Sequence, residues 1–265
     1  MTVTQPGLTG RARDVLASEW IKLRATRSNA WTLAIAAVAT LGVTAIVAHA
    51  MAAARVAPPA GGPITALTAS FLGYAEYAVL PVSILGALAF TTEYSTGLIR
   101  TTFTCVPRRR VVLAAKAAVT GAAALVAGEV LAFVTFFLTQ AMLAGAHRGV
   151  SLAHPGALRA VLAAGLLLAV AALTGLGLGA IIRHTAGAIA ATVGVIYLIA
   201  ALGLLLPAPW TTRIGRFTLP FAAFQLISGH AQAGLLSPGE SLLVVLAWPA
   251  AILLIAAVLI TRRDP

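Results

Sequence analysis

Six long apolar runs, separated by short polar segments, constrain this sequence more than any other feature. A helix of about 20 apolar residues crosses the ~30 Å hydrocarbon core of a bilayer. Only 9% of the 265 residues are charged, against about 25% in a soluble domain. The pattern predicts an all-α integral membrane protein with spans at about 31–53, 70–90, 111–143, 158–182, 186–206 and 242–260.

The third run is longer than a bilayer requires, because a helix over 111–143 would reach about 50 Å. We expect this helix to tilt or to protrude from the membrane. Lys116 lies near its start, which predicts that the first turns stand at the headgroups with the ammonium extended towards water.

The basic residues predict how these spans are oriented. Thirteen of the 18 Lys and Arg residues fall in 1–30, 91–116, 183–185 and 261–265, which alternate with the other connections. Positively charged connections remain on the cytoplasmic side, so both ends of the chain are predicted to be inside. The same scatter argues against nucleic-acid binding, which needs a basic face on a soluble fold.

Two segments beside the spans have distinct patterns. Residues 1–30 are predicted to form a cytoplasmic, interfacial helix ahead of the membrane domain at 31–265, because Leu16, Trp20 and Leu23 recur at helical spacing among basic residues such as Lys22 and Arg24. A solvated basic tail is the alternative. The aromatic and proline-rich stretch at 207–240 predicts a re-entrant or surface-lying segment before the last span.

The chain contains no catalytic constellation of its own. Neither of its two lysines, Lys22 and Lys116, follows a glycine, so there is no phosphate-binding loop. The histidines are dispersed, and Cys105 is the only cysteine. We therefore expect no enzyme activity, no bound cofactor and no metal site in this chain.

The segment between the second and third runs carries the most informative motif, Glu93-Tyr94-Ser95-Thr96-Gly97-Leu98-Ile99-Arg100. Leu98, Thr102 and Val106 are spaced by four, which predicts a short amphipathic helix that Ser95 or Thr96 caps and Pro107 ends. Such a helix is suited to docking a soluble partner. The alternative is a positively charged topology signal that binds only lipid headgroups.

Three segments together resemble permease subunits of actinobacterial ATP-binding-cassette (ABC) transporters of the type-2 export class. They are residues 18–28, residues 93–102 with residues 107–109 and Lys116, and residues 178–186. The resemblance implies six spans, a second permease subunit, and a separate ATPase that binds ATP and Mg. It also implies that the N-terminal helix and the first loop contact the ATPase, and that a re-entrant hairpin precedes the last span. By the same resemblance, the ATPase-coupling residues would be Glu93, Gly97, Arg100, Pro107 and Arg108.

Two acids lie inside the predicted spans. Glu76 and Glu129 would sit roughly 24–27 Å from the cytoplasmic face. A charge at mid-membrane costs about 2.5–3.5 kcal/mol on insertion scales, so such residues usually face protein or water. Both acids could line a translocation path, reach the outer interface or hydrogen-bond within the bundle. An ion-coupled secondary transporter that uses them as proton carriers is a rival function, and a membrane scaffold without transport is another.

Small residues predict one close helix contact. Gly175 and Gly179 are four apart in the fourth run, which lets two helix backbones approach. Only residues 183–185 separate the fourth and fifth runs, and Ala190 and Gly194 are also small. We therefore expect the two glycines to pack against the fifth span.

Overall fold

The computed structural model describes residues 8–53, 66–71, 73–205, 207, 213–229 and 236–263. All regular elements within these ranges are helical. Single π-helical turns at Ala75–Val79 and Gly194–Leu198 lead into α4 and α9. The helices include α1 (Leu8–Ala25), α2 (Arg27–Ala53), α3 (Ala66–Ala69), α4 (Leu80–Ser95), α5 (Leu98–Cys105), α6 (Arg109–Ala144), α7 (Ala157–Ile182), α8 (Thr185–Val193), α9 (Ile199–Leu204), α10 (Leu219–Ser228) and α11 (Pro238–Arg262).

Six helical segments are long and apolar enough to cross a membrane, which confirms the predicted number of spans. The predicted over-long third helix is also present, since α6 is a single helix of 36 residues. The six segments are Arg27–Ala53, Tyr77–Ser95, Arg109–Ala144, Ala157–Ile182, Thr185–Leu202 and Pro238–Arg262.

The fourth span, α7, is the centre of the bundle. In its most apolar stretch 78% of the residues are buried, against 17–50% in the corresponding stretches of the other five spans. It packs against α4, α6 and α11. The other spans expose large apolar side chains such as Val38 and Leu254, which lipid can cover.

The glycines of α7 contact the second span, so the prediction that they pack against the fifth span is wrong. A Cβ added at Gly175 would lie 1.9 Å from the Ser83 carbonyl oxygen, and one at Gly179 would lie 2.6 Å from the Ala87 carbonyl oxygen. By contrast, a Cβ at Gly194 would have no neighbour within 4 Å. The short connection does place α8 beside α7, but the glycine face is covered by α4, which is distant in sequence.

The segment before the last span contains a helix that is too short to cross a bilayer. Helix α10 has 10 residues and buries Leu219, Ala222 and Leu226. It ends at Gly229, whose φ of +69° favours glycine. A short, packed helix therefore stands where a re-entrant or surface-lying segment was predicted, and its place in a membrane stays a prediction. Residues 208–212 and 230–235 of the same stretch lie outside the described residues.

We expect Gly175→Ala to destabilise the bundle. Alanine is favoured over glycine in a helix by up to about 1 kcal/mol, but the added methyl group must push α4 away, at about 1–3 kcal/mol. Gly42→Ala is the matched control, because its Cβ would meet nothing within 4 Å. Denaturant unfolding in mixed micelles measures both changes. Equal stability of the two variants would contradict the close contact between α4 and α7.

Candidate functional site

Four charged side chains from three helices form one ion cluster at the end of the bundle that carries α1 and α5. Glu19 and Lys22 belong to α1, Glu93 to α4 and Lys116 to α6. The Lys116 Nζ lies 2.5 Å from Glu19 Oε2 and 2.8 Å from Glu93 Oε1. The Lys22 Nζ lies 2.8 Å from Glu19 Oε1 and 2.9 Å from Glu93 Oε1. Each ammonium therefore bridges both carboxylates. We call these four residues the ion cluster, and this end of the bundle the basic end.

Most of the ion cluster is buried. The side chains of Glu19, Glu93 and Lys116 are 3–8% exposed, whereas that of Lys22 is 40% exposed. Burial lowers the pKa of the Lys22 ammonium, but hydrogen bonds and the charges of Glu19 and Glu93 together outweigh it, so its pKa is raised. Two positive and two negative charges balance, which a buried group of ions requires because each ion removed from water costs several kcal/mol.

Helix α1 presents two different faces. Val15, Glu19 and Lys22 are spaced i, i+4, i+7, and this face packs on the start of α6 with Val15 and Glu19 buried. The predicted apolar face points away from the bundle, since Leu16 and Trp20 are exposed. An outward apolar face is what a helix on the surface of a bilayer requires.

Lys22 and Arg24, which we predicted as polar residues of the interfacial helix, have different surroundings. Lys22 contributes to the ion cluster. The Arg24 guanidinium instead lies 5.8 Å from the centre of the Trp20 ring, where a cation is attracted to the ring face.

Glu93 does not lie on a surface that a partner could touch. Its side chain is buried between Lys22 and Lys116, so it offers no exposed surface for direct contact with an ATPase. The coupling role that the family resemblance implies for Glu93 stays a prediction. The carboxylate instead holds the end of α4 against α1 and α6. Sequence reasoning missed this role because the two lysines that pair with Glu93 are 71 and 23 residues away.

The predicted short helix after the second span is present as α5, but its cap and its buried face differ from the prediction. Gly97, at φ +74°, precedes the helix, and neither Ser95 nor Thr96 caps it. Ile99 and Phe103 are buried, whereas Leu98 is 56% exposed. The buried pair packs against a cluster that includes Phe90, Val112, Leu113, Leu176 and Ile260. Leu98 and Thr102 are four residues apart, and so are Ile99 and Phe103. The sequence alone does not show which of these two faces packs against the bundle.

Other predicted coupling residues remain accessible. Gly97, Arg100, Pro107 and Arg108 are all exposed at or beside α5. They share the basic end with exposed arginines of α1, α2, α6 and α11, which include Arg13, Arg24, Arg27, Arg110 and Arg262. This end of the molecule is therefore suited to binding an acidic protein surface or anionic headgroups.

Several arginines at the basic end bind helix carbonyl groups, a role that sequence reasoning missed. Arg109 donates from Nη1 to the carbonyl oxygens of Ile260 and Arg263, at 3.2 and 2.9 Å. Arg263 donates to the Ile181 carbonyl oxygen at 3.3 Å. The Arg183 guanidinium lies 5.1 Å from the centre of the Tyr94 ring. Basic residues at the C-terminal ends of helices are favoured by the helix dipole. Arg183 and Arg263 directly follow the last residues of α7 and α11, and this placement could have predicted their role.

Glu129 faces the central helix. A Cβ added at Gly165 of α7 would lie 2.3 Å from the Glu129 Cδ, so the glycine makes room for the carboxylate. Among the described atoms, Glu129 Oε2 is buried and has no hydrogen-bond partner. The backbone of Glu76 lies in the π-helical turn Ala75–Val79, but its side chain lies outside the described residues. Across the described part of the chain, no group of acids, histidines and cysteine is arranged to hold a metal ion.

A family model described as ABC-2 family transporter protein matches residues 15–201, which is more than half of the chain. The chain belongs to this family. The match includes the whole ion cluster, helix α5, the first four spans and the fifth span up to residue 201. It makes the chain a multi-pass membrane permease of an ABC transporter. Membership also implies an ABC-type ATPase as partner subunit. The comparisons found no match to this chain among curated proteins or solved structures.

We expect Lys116→Met to destabilise the protein by about 3–5 kcal/mol, because it leaves two buried carboxylates with one shared ammonium. Lys22→Met is the matched control and should cost about 1 kcal/mol or less, since the Lys22 side chain is 40% exposed. The double variant Lys116→Met, Glu93→Gln restores the charge balance and should recover part of the loss. Denaturant unfolding in mixed micelles measures the three variants. Similar small losses for both lysine variants would show that the cluster is not structural.

Proposed function

We propose that this chain is the membrane half of an ABC exporter in the cell membrane, with the basic end and both chain ends in the cytoplasm. ATP and Mg would be bound and ATP hydrolysed on a separate ATPase, and this chain would carry no catalytic group. A second permease subunit, identical or not, would complete the transporter. The excess of Lys and Arg in the connections at the basic end supports this orientation.

The observation that carries the proposal is the ion cluster next to α5. The cluster connects α1, α4 and α6, and Glu93 lies four residues before Gly97, where α5 begins. Through Ile99 and Phe103, α5 also joins a buried cluster to which α4, α6, α7 and α11 contribute residues. A displacement of α1 or α5 would therefore be transmitted to the spans through these buried contacts.

The proposed mechanism uses these contacts as a mechanical connection. Closure of the ATPase pair on ATP would displace α1 and α5 together, because both are fixed to α4 and α6. The spans would follow and switch the bundle between inward-facing and outward-facing states. Glu93 acts here as a positioning residue, and Arg100, Pro107 and Arg108 supply the exposed contacts with the ATPase.

One observation favours the rival function, an ion-coupled transporter. Glu129 is an acid within a span, and one of its oxygens has no partner among the described atoms. In the exporter, the same residue would line the translocation path, together with Glu76. The two functions differ in their energy source, so the dependence of transport on ATP or on an ion gradient separates them.

The orientation can be tested with the natural cysteine, because Cys105 is exposed on α5 and is the only cysteine in the chain. A membrane-impermeant maleimide should label Cys105 in inside-out vesicles and not in intact cells. The matched control is Cys105→Ser with Ser151→Cys, which moves the thiol to an exposed position in the connection between α6 and α7. That variant should be labelled in intact cells. The reverse pattern would place α5 outside and exclude an ATPase contact there.

Coupling can be tested with the purified complex of this chain and its ATPase. Arg100→Ala and Arg108→Ala should each weaken ATPase binding by about fivefold or more, because each removes an exposed cation from the proposed interface. Arg213→Ala is the control, since Arg213 is exposed and distant from the basic end in the fold. Co-purification yield and ATPase rate measure the effect. Unchanged binding in both variants would contradict this interface, and transport that an ion gradient alone sustains would support the rival function.

A further inference from the structure

The half of the bundle away from the basic end encloses an apolar cavity of about 230 Å³. Its wall is built from α3, α7, α10 and the two π-helical turns. Twelve described residues line it, among them Phe71, Tyr74, Tyr197, Leu219, Ala223 and Phe224. None of these described lining residues is charged. The cavity is therefore suited to a neutral ligand.

Aromatic rings are concentrated at this cavity. Aromatic residues make up 6% of the chain but four of the twelve lining residues. Phe71 and Tyr74 form an edge-to-face pair, with ring centres 6.1 Å apart and planes at 79°. Phe224 is 41% exposed, so it lies where the cavity opens to the surroundings. Rings attract further rings in offset or edge-to-face arrangements, which favours a ligand that contains a ring.

The backbone around the cavity is also unusual. One π-helical turn, Ala75–Val79, begins directly after Tyr74 and ends at the lining residue Val79. The other, Gly194–Leu198, contains Ile196 and Tyr197. Single π-helical turns are rare, and they occur frequently at functional sites. Two different spans therefore depart from α-helical geometry at the same cavity.

We propose that this cavity binds a neutral aromatic molecule of about two fused rings. An apolar cavity of about 150 Å³ accommodates benzene, so about 230 Å³ has room for a bicyclic ring system. The Tyr74 hydroxyl donates to the Gly128 carbonyl oxygen at 2.7 Å, and this bond leaves its ring, not its O–H, to face the ligand. Binding at this site requires no ATPase and does not depend on the function proposed above.

The test is photolabelling of the full chain in nanodiscs of phosphatidylcholine and phosphatidylglycerol. The probe is a neutral naphthalene that carries a diazirine, and labelled residues are mapped by mass spectrometry. We expect saturable labelling around Tyr197 and Phe224 that excess naphthalene removes. Ala223→Phe should abolish this saturable labelling, because the buried Ala223 lines the cavity and a phenyl group would fill it. Ala251→Phe is the matched control on the exposed side of α11 and should change nothing.

A second variant keeps the test valid if Ala223→Phe does not fold. Phe224→Leu removes one ring without adding volume, and it should raise the half-saturating probe concentration by roughly threefold to tenfold. The proposal is overturned if labelling is non-saturable and confined to outward-facing residues, or if saturable labelling persists in a folded Ala223→Phe variant. It is also overturned if a phosphatidylcholine with a diazirine in its acyl chain labels the cavity and naphthalene does not compete.

Discussion

The ion cluster at the basic end is the interaction on which the rest of the structure depends. Removing an ion from water costs several kcal/mol, and the cluster offsets this cost by giving each ammonium two carboxylates. Helices α1, α4 and α6 each supply at least one of the charges. Withdrawing α4 or α6 would leave the remaining charges unbalanced, and withdrawing α1 would break the ion pairs Lys22–Glu93 and Lys116–Glu19. An interfacial helix, which elsewhere needs only lipid to hold it, is here fixed to two spans.

The bundle combines close backbone contacts with a cavity. Towards the basic end, a Cβ at Gly175 would overlap the Ser83 carbonyl group, so the backbones of α4 and α7 are already in contact. In the opposite half, the π-helical turns and α10 surround a cavity of about 230 Å³. Tightly packed segments transmit displacement, whereas cavities and irregular turns allow rearrangement. A permease that changes conformation needs both properties.

The features that sequence reasoning could predict follow from properties of one segment at a time. Apolar length gave the six spans and the over-long α6, because crossing a bilayer requires a minimum number of apolar residues whatever their neighbours are. The wrong predictions concerned neighbours. The glycine pair of α7 faces α4 instead of α8, and neither Ser95 nor Thr96 caps α5. The burial of Glu93 against two lysines was not predicted. Spacing along the sequence identifies a helix face of small or apolar residues, but only the folded structure shows which element packs against that face.

The arginines of the basic end show the same difference between what the sequence predicts, their charge, and what only the structure shows, their contacts. All of them count equally towards the charge asymmetry that predicts orientation, since that rule depends on charge near the membrane and not on contacts. Their contacts differ: Arg109 and Arg263 bind the carbonyl ends of helices, whereas Arg100 and Arg108 are exposed. An arginine held against a helix end has less freedom to turn towards a partner than an exposed one. The proposed interface with an ATPase therefore relies on the exposed arginines Arg100 and Arg108.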